Sequence, residues 1–98
     1  MYLHVGWNEV VGAAEILAVC DYQSWQESGV NSSMTEMARV AGKMRLIGEK
    51  RGAARDDVRS VIVCREEILL SPITSSTLRR RADGSALMAA SGGEEEEG

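Results

Sequence analysis

The residues of this chain whose types and spacing could do chemistry together are cations. The stretch "EKRGAARDDVR", Glu49 to Arg59, carries Lys50, Arg51, Arg55 and Arg59 between the apolar pieces "MRLI" and "VIV". An Arg side chain is a planar fork that grips an anionic oxygen pair with two hydrogen bonds, while Lys offers a compact point charge. Such a set can neutralise a polyanion, although a charge run is ordinarily no more than a solvated turn. The bias extends beyond the stretch. From Arg39 to Arg65 there are Arg39, Lys43, Arg45, Lys50, Arg51, Arg55, Arg59 and Arg65 against Glu49, Asp56 and Asp57, an excess of five positive charges. Asp83 and Glu94 to Glu97 stand without a base among them, so the net charge of -4 divides into +1 before Asp83 and -5 from there on.

Other chemistries find no residues to carry them. His4 is the single histidine and stands in an alternating apolar stretch with no Asp, Ser or Cys pattern around it, as a strand-face residue does. Cys20 and Cys64 are too few and too far apart for a metal site. Each closes an apolar run ("ILAVC", "VIVC"), which reads as a small buried hydrophobe and a reduced thiol. "GEKRG" lacks the Lys-Ser/Thr ending of a phosphate loop, and no nucleophile has an evident base. Neither a cofactor nor a metal is expected, nor an enzyme, and binding remains.

The elements that must position the cations are short. Ninety-eight residues allow one domain, and two Trp, two Tyr and no Phe leave its core thin. A core of this kind supplies about 3–5 kcal/mol by itself, so partner subunits are a natural supplement. "YLHVGW" alternates like a half-buried strand, and "EVVGAAEILAVCD" follows as a second extended stretch interrupted near Gly12, with "WNE" turning the hairpin. Residues Ser24 to Ser33 are polar and turn-rich. "SMTE" then matches a capping box, Ser33 with Glu36, opening a helix whose Met34, Met37, Ala38 and Ala41 form one apolar stripe for the core.

"MRLIG" reads as a short strand leading into the basic loop. "VRSVIVCREEILLSP" reads as two strands turning at Arg65 to Glu67 and ending at Pro72. "ITSSTLRRRADG" offers a Ser/Thr cap, a short helix through Arg79, Arg80 and Arg81, and a stop at Gly84. The fold class expected is α+β: a small antiparallel or mixed sheet with two short helices over residues 1–82, then a disordered acidic tail over 83–98. No apolar run approaches the roughly 20 residues of a membrane span, and "MYLHVGW" lacks the basic start of a signal peptide, so a cytoplasmic protein without membrane contact is expected.

Two stretches are more specific than any periodicity: "MYLHVG…VV…EILAVCD" at the start and "ILLSPITSSTLRRRA" later. Both resemble the RemA/RemB-like family of small bacterial regulators of extracellular-matrix (biofilm) genes, and they look closer to its RemB-like branch. The likeness runs from Met1 to about Ala82. The resemblance implies a LytTR-like fold, assembly into a closed homo-oligomeric ring of about seven or eight subunits, and transcription regulation by binding duplex DNA. It points to the Arg-rich region after the short middle strand, here Arg51 and Arg55, flanked by Lys50 and Arg59. This loop is longer than the family pattern and contains Asp56 and Asp57.

Under that reading phosphates are neutralised mainly by backbone and shape readout, because no helix here is rich in Asn, Gln and Arg for a groove. Arg79 and Arg80, with Arg81, compete for the same role; otherwise they are a helix C-terminal cluster favoured by the dipole. The protein would then be nucleoid-associated. The rival from another class is a non-enzymatic oligomeric interaction or structural module that does not touch DNA.

Overall fold

The computed structural model describes residues 1–91. Leu3 and Val5 alternate with Tyr2 and His4, so β1 (Tyr2–Gly6) buries one face, and it turns back at once into antiparallel β2 (Glu9–Gly12). Only Trp7 and Asn8 lie between the strands. Both take left-handed φ, 53° and 62°, the backbone a two-residue type I′ hairpin turn requires. The hairpin is therefore as the sequence predicts, but the extended stretch after Gly12 does not continue it. A 3-10 turn over Ala13–Glu15 intervenes, and β3 (Ile16–Asp21) belongs to a second sheet.

The polar segment expected to be a turn is helical: α1 (Tyr22–Glu27) and α2 (Gly29–Val40) follow β3 directly. Asp21 caps α1, its carboxylate accepting from the Ser24 N–H at 3.1 Å. Ser33 lies inside α2 rather than at its start, and Glu36 pairs with Arg39 one turn on, so the capping box does not form. The reason is long-range. Trp25 is buried on the sheet and its indole N–H donates to the Thr35 hydroxyl, so burial of one aromatic fixes two helices whose local signals are weak. The seam of α2 consequently runs along Thr35 and Ala38. Of the predicted stripe only Ala38 packs into the core; Met34 and Met37 are 42% and 73% exposed.

β4 (Met44–Leu46) leads into the basic loop, which winds through 3-10 turns at Glu49–Arg51 and Arg55–Asp57. β5 (Ser60–Cys64) and β6 (Ile68–Ser71) form the expected antiparallel pair, closed by the Cys64 N–H on the Glu67 carbonyl at 2.9 Å. β4 pairs with β6 in parallel, so the four-stranded sheet, ordered β3-β5-β6-β4, is mixed. Thr74 caps the last helix, α3 (Ser75–Ser91), by accepting the Thr77 N–H. That helix passes through Gly84, where the sequence predicts its stop. One glycine costs a helix about 1 kcal/mol relative to alanine, and the strong helix formers of "SALMAA" offset it. The architecture is thus α+β with three α-helices rather than two, and the 82/83 boundary falls inside a helix. The rest of the acidic tail, with Glu94 to Glu97, lies outside the described residues.

The four-stranded sheet is the middle of three layers. On one face Ile62, Cys64 and Leu69 pack with Leu3, Val5, Ile47 and Leu78, covered by the hairpin and α3. On the other Val61, Ile68 and Leu70 pack with Trp25 and Val58, covered by α1 and α2. Burial on both faces explains why β5 and β6 read as continuous apolar runs. Ser60 and Ser71 face each other across that pair, fully buried, and each satisfies its hydroxyl on a carbonyl: Ser60 on Ile73 and Ser71 on Val5, both at 2.7 Å. Ser71 thereby ties the hairpin to the sheet.

Candidate nucleic-acid interface

The loop after β4 begins at Gly48, and its first turn is held by the hairpin. Gly48 has φ +80°, and a Cβ there would fall on the indole of Trp7, so both backbone and space demand glycine. Its N–H donates to Glu9 Oε2 at 3.1 Å, and its carbonyl accepts from Arg51 and Ala53. The other oxygen of Glu9 takes Arg45 Nη1 at 2.7 Å, while Arg45 Nε reaches Glu67 at 3.3 Å. Burial pushes the Glu9 carboxyl up; the Arg45 hydrogen bond, the Gly48 N–H and the charges of Arg45 and Arg51 outweigh it and hold it below the ordinary range. The Glu9 hydrogen bond correspondingly raises the Arg45 guanidinium. Arg51 completes the clamp, donating from Nη1 to the Trp7 carbonyl at 3.3 Å.

The predicted cations fall into three places. Lys50 and Arg51 are exposed beside the hairpin tip. Arg55 and Arg59 are exposed at the other end of the loop, beside the start of α1: the Tyr22 N–H donates to the Arg59 carbonyl, and Arg59 Nη1 donates to the carbonyls of Asp56 and Val58. Arg55 joins Tyr22 and Gln26 in lining a cleft of about 250 Å³ between α1 and α2. Arg79 and Arg80 lie on α3, in the opposite layer from α1. Arg79 donates to the Val19 carbonyl at 2.7 Å, and its neighbour Arg81 donates to that of His4 at 3.2 Å. Because α3 continues to Ser91, these residues are in its interior, and the C-terminal dipole interaction expected for them does not arise.

Lys50, Arg55 and Arg80 make no side-chain hydrogen bond or ion pair among the described residues, which leaves their charges available to a partner. Asp56 and Asp57 are exposed in the same loop and reduce its potential locally. The sequence does not signal Glu9, Arg45, Glu67 or Trp7 as part of this site; the one legible cue is the glycine that ends "MRLIG". No helix among the described residues is long and apolar enough to cross a membrane, and no group of three metal-ligating side chains occurs among them. No protein-family model matches the chain, and no curated protein matches it.

Proposed function

We propose that this protein is a DNA-binding transcriptional regulator of the extracellular-matrix gene type. It acts as a closed ring of LytTR-like protomers in the cytoplasm, associated with the nucleoid, and presents its basic loops to duplex DNA. The observation that carries this reading is the exposure of Lys50, Arg51, Arg55 and Arg59 in one loop, with Lys50 and Arg55 unpaired. The resemblance of "MYLHVG" and "ILLSPITSSTLRRRA" to the RemA/RemB-like family supports it from a separate direction.

Cations bind DNA by releasing condensed counterions, so affinity grows with the number of phosphates met rather than with one geometry. A single loop meets about three or four, too few at physiological salt. Repetition around a ring raises the effective concentration of every loop after the first has engaged. Arg79 and Arg80 sit in another layer and add contacts only where the duplex also passes α3.

A gel shift with purified protein across a salt series tests the reading. Binding should weaken steeply with salt, and an Arg51→Ala, Arg55→Ala double variant should lose it while keeping the wild-type assembly size. No shift at low salt for the wild type would instead favour an interaction module. Exposed Met37, Val40 and Leu17 are the observation that speaks for that second reading.

A further inference from the structure

We propose that the tip of the β1–β2 hairpin, Trp7 and Asn8, is part of the DNA contact surface and works as one unit with Lys50 and Arg51. This rests on the function proposed above and adds residues from a different part of the chain. Three observations meet at the tip. Trp7 and Asn8 are the two non-glycine residues with positive φ among the described residues, and a bulky aromatic there is a backbone outlier. Outliers of this kind persist where surrounding structure holds them, and here Trp7 is held twice: its indole lies on Gly48 and its carbonyl accepts from Arg51. Trp7 is nevertheless 39% exposed as a residue, whereas the other tryptophan, Trp25, is buried.

The chemistry displayed at the tip is that of a phosphodiester partner. The indole N–H of Trp7, the amide of Asn8 and the ammonium of Lys50 have no hydrogen-bond partner among the described residues. Arg51 spends one nitrogen on the Trp7 carbonyl and keeps the rest of its fork. These donors belong to the same hairpin tip and loop turn as the partly exposed Trp7 ring, which can stack on a sugar or base face. The carboxylate nearest to them in the hairpin, Glu9, is occupied by Arg45 and Gly48, leaving Glu49 as the acidic group of that turn. The Arg51 hydrogen bond and the packing of Trp7 on Gly48 join the tip to the loop, so Trp7 and Asn8 are carried to the partner when Lys50 and Arg51 are seated.

Two substitutions preserve the backbone while removing the donors. Trp7→Phe keeps a ring against Gly48 without the N–H, and Asn8→Gly suits a type I′ turn better than asparagine does. The double variant should fold with an unchanged far-ultraviolet circular dichroism spectrum and bind a duplex probe about tenfold more weakly, as loss of hydrogen bonds to charged groups implies. Adding DNA should also change the tryptophan emission of the wild type, and Trp7→Phe should abolish that response. Wild-type binding that Arg51→Ala, Arg55→Ala removes, combined with unaltered emission and full affinity in the tip variants, would overturn this inference and leave the DNA reading standing. Absence of any wild-type shift would overturn both.

Discussion

Glu9 is one of the residues that join the hairpin to the basic loop. Its carboxylate closes two unlike bonds, one to the Arg45 guanidinium and one to the Gly48 N–H, and is about one third exposed, its side chain at 30%. Its carboxyl is held below the ordinary value of 4.5 in the folded chain. A lowered acid stabilises the fold wherever pH exceeds the unfolded value, and that contribution disappears as pH falls through the folded one. Thermal melts between pH 7 and pH 3 should therefore show a loss of stability below about 4.5, and Glu9→Gln should lack this part of the decline. At neutral pH the substitution should cost about 1 kcal/mol, since solvent screens the half-open ion pair. An identical acid profile in the variant would remove Glu9 from this role.

At the scale of elements, the hairpin is docked by more than apolar contact, because Ser71 on β6 donates to the Val5 carbonyl of β1 inside the core. Ser71→Ala removes that donor and leaves a buried carbonyl unsatisfied, at about 1–3 kcal/mol. Hydrogen exchange should locate the loss: amides of β1 and β2 should speed up before those of β5, whereas a uniform increase would mean the hairpin is not a separable unit. What the sequence made legible follows the same division between local and distant forces. Alternation in "YLHVG", the apolar runs of β5 and β6 and the breaks at Gly48 and Pro72 are local signals, and the strands they mark are found. The helices found where Ser24 to Ser33 read as a turn depend on Trp25 meeting Thr35 over the sheet, which no local pattern carries, and the Met stripe misled because that contact sets the face α2 buries. Within the candidate site, exposure of Lys50, Arg51, Arg55 and Arg59 was legible from charge alone. The clamp was not, since Glu9 is 39 positions from Gly48 and Trp7 is 44 from Arg51.

For the molecule as a whole, apolar residues are left uncovered in both outer layers. Met34, Met37 and Val40 lie one turn apart on α2, with Met37 and Val40 exposed to 73% and 74%. In the hairpin layer on the opposite side of the sheet Tyr2 of β1 is 70% exposed, and Leu17, on the edge strand β3 of the middle sheet, is 59% exposed. Unlike exposed apolar residues on different sides of the molecule suit a head-to-tail contact, which closes into a ring when its rotation permits, whereas a two-fold dimer would pair like with like. Scattered exposed apolar side chains are ordinary on any protein, so the test must ask whether these are covered in solution. Sedimentation velocity of the wild type over a concentration series should give one large, stable species. Met37→Lys combined with Val40→Lys should shift it to protomers without changing the circular dichroism spectrum. The dissociated variant retains its basic loop, so its residual DNA affinity isolates the share contributed by repetition. The slope of log affinity against log salt should fall in proportion to the loops lost. A wild type that sediments as a protomer at every concentration would remove the proposed ring, and with it the means proposed for a loop of four cations to hold DNA at physiological salt.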